Sequence, residues 1–278
     1  MPELPEVEIT RQGLIPLIHG TVADVVIRNA SMRWPIPAHL PKTLQHKTLI
    51  SLKRRAKYIL AEFAESDNKP VGTLLLHLGM SGRICLLDRN YPPEKHDHFD
   101  IVFNDGRVLR LRDPRRFGAV LWAGLQPNSH ALLKSLGPEP LDDTFSANYL
   151  HAQLANRSAA IKIAIMDAHT VVGVGNIYAS ESLFRARIHP ETPAKALTLK
   201  QCNTLVKEIK LTLNDALNAG GSSLRDFFGV DGGIGYFQQD YFVYGRTNGP
   251  CKICTKPIKC IRLGQRSTFY CAQCQQHN

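Results

Sequence analysis

Four cysteines near the carboxyl end constrain the fold of this chain more than any other feature. Cys251 and Cys254 are separated by two residues, and so are Cys271 and Cys274. Two thiolates at this spacing reach one zinc ion, and two such pairs complete a tetrahedral site with no open position. The segment between the pairs suits a β-hairpin. The pattern predicts a structural zinc module, because four buried thiols without a metal would need more apolar residues than this segment has.

The odd number of cysteines and the lack of a visible export signal predict a cytoplasmic protein. The total of seven cysteines is odd and no export signal is visible, so a disulfide framework is not expected. We interpret Cys85 and Cys202 as packing residues, and the spacing of Cys260 does not fit a zinc knuckle. The apolar runs are too short to span a bilayer, so no membrane segment is expected.

The periodicity of the sequence changes along the chain. A helix is predicted over residues 3–18, and short β-rich runs then continue to residue 123, which suggests a sandwich or a barrel. Glycine and proline follow, then helical periodicity, then a glycine-rich stretch at 220–235 that predicts a mobile loop. The predicted strands are 21–28, 48–52, 58–63, 72–78, 83–87, 99–103, 107–111 and 119–122. The later predicted helices are 145–155, 161–166, 176–186 and 199–219.

These changes predict four segments. Residues 1–125 form a helix plus a β-domain, residues 126–142 a linker, residues 143–243 a helical domain, and residues 244–278 the zinc module.

The charge of the chain predicts a polyanionic partner. The formal net charge is +10, which favours nucleic acid first and an acidic membrane second. The basic residues form three runs: Lys53, Arg54, Arg55 and Lys57; Arg110, Arg112, Arg115 and Arg116; and Arg246, Lys252, Lys256, Lys259, Arg262 and Arg266. A single run is usually a solvated face, but three runs in one basic chain favour nucleic acid.

Pro2 is a candidate nucleophile. A small second residue allows Met1 to be removed, which would leave a secondary terminal amine. A terminal amine has a pKa of about 7.7–8.0, against about 10.4 for lysine, so more of it is neutral at pH 7. A neutral amine attacks an electrophilic carbon and forms a Schiff base, and the neighbouring Glu3 is placed to move protons. The alternative is an ordinary acidic helix start.

Three further segments contain candidate DNA-binding residues. The glycine-bearing turn before Tyr178 is typical of anion binding at a helix start, although a plain turn with Asn176 as the helix cap is an equal alternative. Its spacing does not match a dinucleotide or P-loop motif, so no nucleotide cofactor is expected. Met80 and Phe117 lie in two loops where apolar wedges would enter a base stack, although core packing is the usual role of such residues. His77, His96 and His98 are interpreted as structural or DNA-proximal, not as metal ligands.

Taken together, the motifs resemble those of the formamidopyrimidine-DNA glycosylases, the bacterial family that removes oxidised purines. They are PELPEVE at residues 2–8, RRAKYIL at 54–60, HLGMSG at 77–82, KHDH at 95–98, DPRRFG at 113–118, VGVGNIYASE at 172–181, and Gln265-Arg266 before the FYC of residues 269–271. The related endonuclease VIII group shares the Pro-Glu start and the finger, but it typically begins with PEGPE.

The resemblance implies an α+β fold with an N-terminal β-sandwich, a C-terminal helical domain containing a helix–two-turn–helix motif, and a zinc-finger β-hairpin. It implies a monomeric, bifunctional DNA glycosylase and AP lyase of base excision repair with one structural Zn²⁺. The implied substrate is damaged double-stranded DNA that carries 8-oxoguanine opposite cytosine or ring-opened formamidopyrimidines.

The resemblance also implies roles for individual residues. Pro2 would be the nucleophile, Glu3 its acid partner and Lys57 a catalytic lysine, while Glu6 would face the lesion. Lys57, Asn176 and Arg266 would contact phosphates, with Arg266 in the catalytic group. Met80, Arg115 and Phe117 would fill the gap in the base stack, with Arg115 facing the orphaned cytosine. Lys162 would handle oxidised guanine, and Arg116 and His98 complete the substrate-binding group.

The implied reaction begins when the damaged nucleotide leaves the stack. Pro2 then attacks C1′, the base leaves, and β- and δ-elimination cut the strand. Two alternatives remain open at this point. A non-catalytic zinc-finger DNA-binding or ribosome-associated protein would have the same charge and zinc module, and an endonuclease VIII type would act on oxidised pyrimidines.

Overall fold

The computed structural model describes residues 2–220 and 241–276. The described chain has two compact units, residues 2–134 and residues 135–218 with 241–276. The division falls inside the stretch predicted as a linker, residues 126–142. The predicted glycine-rich loop lies, apart from Gly220, outside the described residues.

The first unit contains one longer helix and two antiparallel sheets. Helix α1 spans Leu4–Gly13 and a short helix α2 spans Leu40–Leu44. The strands are β1 (Val22–Ile27), β2 (Thr48–Arg55), β3 (Tyr58–Ala64), β4 (Pro70–His77), β5 (Arg83–Asp88), β6 (Asp97–Phe103), β7 (Arg107–Arg112) and β8 (Ala119–Gly124). One sheet has the order β2-β3-β4-β8 and the other β1-β6-β7-β5. All eight predicted strands are present, and their ends differ by at most three residues.

The two sheets share one core, as in a sandwich. Ile59 and Phe63 of β3 and Phe99 and Ile101 of β6 are buried in the same apolar cluster. Every second residue of a strand points to the same face of its sheet, so these side chains meet between the two sheets. The fold class predicted from the resemblance is therefore confirmed for this half of the chain.

Part of the second basic run is structural. Arg110 is buried, and its guanidinium group lies 2.9 Å from Asp100. Arg112 binds both carboxylate oxygens of Asp97 from the adjacent strand. Buried charges need such partners because their desolvation is costly. The interpretation of this run as a DNA-facing cluster is therefore wrong for these two arginines.

Helix α1 is shorter than predicted. It ends at Gly13, and Ile15–Leu17 forms a separate 3₁₀ turn. Pro16 explains the difference, because proline lacks an N–H group and its ring clashes with the carbonyl four residues earlier. The five-residue helix α2 was not predicted, since one turn is too short to show helical periodicity.

The second unit combines helices with the zinc-module hairpin. Its helices are α3 (Ala147–Leu154), α4 (Ile161–Met166), α5 (Asn176–Arg185) and α6 (Leu199–Asn218), and its strands are β9 (Lys259–Leu263) and β10 (Arg266–Tyr270). Helix α6 packs against α3 and α5. The four predicted helices are present, with ends that differ by at most two residues. No helix in the described ranges combines the length and the apolar character that crossing a membrane requires.

Helix α5 connects the helical part of this unit to the zinc module. The Glu181 carboxylate accepts hydrogen bonds from the backbone N–H groups of Phe242, Val243 and Tyr244 at 2.8–2.9 Å. Burial raises the pKa of Glu181 although these N–H groups favour the ionised form. The rings of Phe184 and Phe242 stack with centroids 5.3 Å apart. These contacts fix the chain that enters the zinc module.

Candidate functional site

Two buried carboxylates organise the residues that follow Pro2. Glu3 precedes the first turn of α1 as its N-cap, and Glu6 is the third helical residue. The two form a capping box, in which the backbone N–H of Glu3 donates to Oε2 of Glu6 at 2.8 Å. Such a box satisfies helix N–H groups that otherwise lack partners. It also fixes the backbone next to the half-buried Pro2.

The amino end of α1 lies level with the turn between β2 and β3. Arg11 donates to the carbonyl oxygen of Leu52 at 3.2 Å, and Glu8 lies 3.3 Å from Arg54. The helix therefore runs antiparallel to β2. With rises of about 1.5 Å per helical residue and about 3.3 Å per strand residue, the five residues from Glu8 back to Glu3 correspond to about two strand residues beyond Arg54. This places the helix start beside the turn that contains Lys57.

Lys57 lies in a two-residue hairpin turn with Ala56. Arg55 and Tyr58 are the paired strand residues on either side of this turn. Ala56 has φ of 55°, the sign that a tight hairpin turn requires at its first position. Arg54 donates to the carbonyl oxygen of Ala56 at 3.1 Å. The turn therefore presents the lysine from a fixed backbone.

His77 lies next to this turn and is neutral at pH 7. Its ring packs against that of Tyr58 in a tilted arrangement, with centroids 4.7 Å apart. Burial, followed by the positive charges of Lys57 and Arg33, lowers the pKa of His77 to about 4. Nδ1 accepts the N–H of Gly79 at 3.1 Å, so the neutral ring carries its proton on Nε2. A donor beside a lysine and an arginine is suited to bind an anion.

Two loops of the first unit carry the predicted gap-filling residues. We call residues 77–82 the Met80 loop and residues 113–118 the Phe117 loop. Asp113, which has no exposed surface, organises the second loop by accepting the N–H groups of Arg115 at 3.2 Å and Gly118 at 2.7 Å. Phe117 remains 39% exposed, and the guanidinium carbon of Arg115 lies 4.8 Å from its ring centroid. Core packing, the alternative role considered for Phe117, does not describe this position.

Arg116 belongs to the Phe117 loop, and His98 contacts the start of this loop. Arg116 is exposed with φ of 56°, and its carbonyl oxygen accepts the N–H of Arg33 at 2.9 Å. His98 is buried, and its Nε2 lies 2.9 Å from the carbonyl oxygen of Asp113. Its burial favours a role in supporting this loop.

A second cluster, in the second unit, contains Asn176, Lys162 and the start of β10. Gly175 is the N-cap of α5 and Asn176 is its first helical residue, so the alternative in which Asn176 caps the helix is wrong. Asn176 donates from Nδ2 to the carbonyl oxygen of Ser267 at 3.0 Å and accepts from Lys162 at Oδ1. These bonds hold its side chain beside Arg266.

Lys162 is a buried bridge within this cluster. Its side chain has no exposed surface, and Nζ also donates to Thr268 Oγ1 at 2.7 Å and to the Ser267 carbonyl oxygen at 3.3 Å. A buried ammonium group needs several acceptors to offset its desolvation. The network therefore favours a positioning role for Lys162 over the predicted role in handling oxidised guanine.

Arg266 is presented by the β9–β10 turn. Gly264 and Gln265 both have positive φ, which is the signature of a type I′ hairpin turn. A Cβ on Gly264 would lie 2.8 Å from Cδ1 of Ile163, so the turn rests closely on α4. Arg266 is the first residue after this turn and is exposed. The turn and helix α4 therefore fix the backbone from which the arginine extends.

The four predicted zinc ligands lie together at the base of the same hairpin. Their sulfur atoms all lie within 4.8 Å of one another. The Sγ distances are 3.9 Å for Cys251–Cys274 and 3.4 Å for Cys254–Cys271. Tetrahedral Zn–S bonds of about 2.3 Å require sulfur atoms about 3.8 Å apart, so the geometry fits zinc. Burial acts to raise the pKa of Cys251, but the N–H groups of Cys254 and Ile253 hold it at about 7.

The remaining cysteines play no part in this cluster. Cys85 and Cys202 are buried, as expected for packing residues, whereas Cys260 is exposed.

The structure therefore groups the candidate residues into three clusters. Pro2, Glu3, Glu6 and Lys57 belong to the helix start and the adjacent turn, and the two loops carry Met80, Arg115, Arg116 and Phe117. Lys162, Asn176, Arg266 and the cysteines lie in the second unit. Sequence reasoning missed Asp113 as an organiser and His77 as a neutral donor. The Asp-Pro pair was the available signal for the first, and no signal predicted the second.

Three family models match the chain. They are the formamidopyrimidine-DNA glycosylase N-terminal domain at residues 1–120, the formamidopyrimidine-DNA glycosylase H2TH domain at residues 136–228, and the zinc finger found in FPG and IleRS at residues 249–276.

Curated relatives and solved structures agree with these matches. The formamidopyrimidine-DNA glycosylase of Methylobacillus flagellatus is 66% identical over 276 residues, which cover 99% of this chain and 97% of that protein. The protein of that name from Janthinobacterium is 52% identical over 99% of this chain and 100% of its own length. The crystal structure of the MutM (Fpg) protein from Thermus thermophilus is 34% identical with a TM-score of 0.87, and each chain covers the other completely. A complex of Lactococcus lactis Fpg with DNA containing an abasic site is 32% identical with a TM-score of 0.88, covering 99% of this chain and 100% of that chain.

Proposed function

The chain belongs to the formamidopyrimidine-DNA glycosylase family, and on this basis we propose that Pro2, freed by removal of Met1, is its nucleophile. The protein is a DNA glycosylase and AP lyase that removes oxidised purines in base excision repair, and it holds one structural zinc ion. The observation that supports Pro2 most directly is the buried Glu3–Glu6 capping box, which fixes the backbone next to Pro2. A non-catalytic zinc-finger protein gives no reason for this arrangement.

The chemistry follows from the secondary amine of proline. Its lone pair attacks C1′, the C1′–N bond to the base breaks, and opening of the sugar ring leaves an iminium ion. An iminium ion made from a secondary amine has no N–H proton to lose, so it stays cationic at neutral pH. It therefore acidifies the C2′ proton, and loss of that proton expels the 3′ phosphate by β-elimination. The 5′ phosphate leaves by δ-elimination.

The carboxylates of Glu3 and Glu6 have different supporting roles in this reaction. Glu3 moves protons to and from the opening sugar ring. Glu6 faces the lesion with its carboxyl group while one of its oxygens accepts the Glu3 N–H. The same bond therefore holds the amine and Glu3 in a fixed position at the start of the helix. Lys57, presented by the adjacent turn, supplies positive charge to the substrate.

Binding of the DNA backbone uses donors from both units. Lys57 contacts phosphate from the first unit, and Asn176 and Arg266 contact phosphate from the second. The N-terminus of α5 adds backbone N–H groups and a favourable dipole. Lys162 holds Asn176 in place through the hydrogen bond to Oδ1. Such phosphate contacts position the enzyme without reading sequence.

Met80, Arg115 and Phe117 fill the space that the extruded nucleotide leaves. Unstacking a base costs on the order of a few kcal/mol, and inserted side chains offset part of this cost. The exposed Phe117 ring and the guanidinium group beside it suit this task. Arg115 faces the orphaned cytosine, Arg116 adds charge next to it, and His98 supports the loop.

Borohydride trapping tests the nucleophile. Reduction during reaction with an 8-oxoguanine duplex should give a covalent enzyme–DNA adduct, and peptide mapping should show that the DNA is attached to Pro2. A variant that retains Met1 should give none, and Glu3→Gln should lose base excision. An adduct mapped to Lys57 would contradict the assignment. Duplexes with thymine glycol provide the substrate control, because an enzyme of the purine branch cleaves them less efficiently.

We also propose that the protein works as a monomer in the cytoplasm, without a nucleotide cofactor. The glycine turn before α5 lacks P-loop spacing, and its helix start is suited to a DNA phosphate. Light scattering during size-exclusion chromatography tests the oligomeric state, and a mass above that of one chain would contradict it.

A further inference from the structure

The Met80 loop and the Phe117 loop touch through their main chains. A Cβ added to Gly79 would lie 2.4 Å from the carbonyl carbon of Phe117, and one added to Gly118 would lie 2.7 Å from the carbonyl oxygen of His77. The two main chains therefore approach so closely at these glycines that no side chain fits between them, which leaves little room for one loop to shift alone. The bases of the two loops are therefore packed as one body.

Ser81 links the two loops through its hydroxyl group. Its Oγ donates to Oδ1 of Asp113 at 2.7 Å and accepts the N–H of Arg115 at 3.2 Å. Asp113 is fully buried, and its Oδ2 accepts the N–H of Gly118 at 2.7 Å. One hydroxyl of the Met80 loop thus contacts both the residue that organises the Phe117 loop and the residue that follows Pro114.

We propose that Ser81 is a positioning residue that makes Met80, Arg115 and Phe117 a single preassembled wedge before DNA binds. This inference rests on the proposed function of those three side chains. Ordering a mobile loop at the moment of binding costs conformational entropy, and a wedge that is already ordered avoids that cost. The tips stay available, since Phe117 is exposed and Arg115 lies against its ring.

The same hydroxyl contributes to the choice of opposite base. The N–H of Arg115 is held by Ser81 Oγ and by Asp113 Oδ1. These two bonds set the backbone from which the guanidinium group extends toward the orphaned base. Loss of one bond allows this backbone to shift, and bidentate hydrogen bonding tolerates little misalignment. Ser81 therefore supports discrimination between cytosine and adenine opposite the lesion.

The test compares Ser81→Ala with wild type on two kinds of substrate. The first is duplex DNA with 8-oxoguanine opposite cytosine or adenine, where a gap must be filled. The second is a single-stranded oligonucleotide with an abasic site, which has no opposite strand. Ser81→Ala should lower kcat/KM for the cytosine duplex about tenfold, as expected for a lost hydrogen bond to a buried carboxylate. It should also lower the cytosine-to-adenine ratio and leave single-strand cleavage unchanged.

Two further variants keep the result decisive. Ser81→Thr retains the hydroxyl and should restore the duplex rate. Ser129→Ala is the matched control, because its hydroxyl binds the Gln126 carbonyl oxygen elsewhere in the same unit and should not matter. If Ser81→Ala proves too unstable, Ser81→Cys provides a nearly isosteric side chain with a weaker donor for the same comparison.

An equal loss on duplex and single strand would overturn the inference, because a general structural defect predicts that result. An unchanged duplex rate and base ratio would also overturn it. In both cases, wild-type enzyme that still traps on Pro2 shows that the proposed function stands and only the positioning role fails.

Discussion

Replacing Gly79 with alanine should separate the two loops. Gly79 has φ of 63°, and an added Cβ would meet three backbone atoms of Phe117 and Gly118 at 2.4–2.6 Å. The left-handed conformation costs a non-glycine residue about 1–2 kcal/mol. Overpacking against atoms that cannot rotate away adds about 1–3 kcal/mol. We therefore expect Gly79→Ala to lower the free energy of unfolding of the first unit by about 2–5 kcal/mol, and to slow base excision from duplex DNA.

Gly124 provides a matched control for the steric part of this estimate. It has the same φ of 63°, but an added Cβ would have no neighbour within 4 Å. Gly124→Ala should therefore show only the conformational cost of about 1–2 kcal/mol. The difference between the two variants isolates the contact between the loops.

Urea unfolding followed by tryptophan fluorescence measures the free energy of unfolding of the first unit in both variants. The chain has two tryptophans, Trp34 and Trp122, and both belong to the first unit. Equal losses of stability in Gly79→Ala and Gly124→Ala would refute the steric argument. Unchanged duplex excision by folded Gly79→Ala would refute the link from loop packing to function.

Three more predictions concern charge and metal. The pKa of His77 is about 4 in the fold and 6.5 for a free side chain, so the unfolded state takes up the proton first as pH falls. The free energy of unfolding should therefore drop between pH 6.5 and 4 by at most about 3 kcal/mol. Urea midpoints measured across this range should show that His77→Gln removes the pH dependence. Lys162→Met should weaken DNA binding at every salt concentration without changing the slope of log affinity against log salt, whereas Arg266→Ala should reduce that slope by about one. An altered slope in Lys162→Met would mean that the Lys162 side chain contacts phosphate. Chelation of zinc should abolish DNA binding while the tryptophan transition of the first unit stays intact, and loss of that transition would contradict a purely local role of the metal.

Local patterns in the sequence predicted most elements of the fold, because strands and helices differ in the period of their apolar residues. Helix α6 followed this rule, and the eight strands of the first unit were predicted as short β-rich runs between turn residues. The end of α1 was misplaced because the apolar period continued past Pro16, where the backbone cannot continue as a helix. The zinc ligands were predicted because two pairs of cysteines, each separated by two residues, are typical of a zinc site and have few other structural explanations.

The roles of buried polar residues could not be predicted from the sequence. The burial of Lys162 depends on Thr268 and Ser267, more than a hundred residues later in the chain. His98 and Asp113 meet because β6 starts where the antiparallel strand β7 ends. Such contacts depend on sheet register and hairpin placement, which no local window contains.

Burial separates the candidate residues into two groups that respond differently to substitution. Arg115, Arg116 and Arg266 are exposed, so removing one charge changes the interaction with DNA and leaves the free protein almost unaffected. Lys162 has no exposed surface, and its ammonium group is offset by acceptors that would lose their partner if it were replaced. A buried acceptor without a donor costs about 1–3 kcal/mol. Loss of activity in a Lys162 variant therefore does not by itself identify a contact with the oxidised base, and only the combination of unfolding and salt-dependence measurements separates the two explanations.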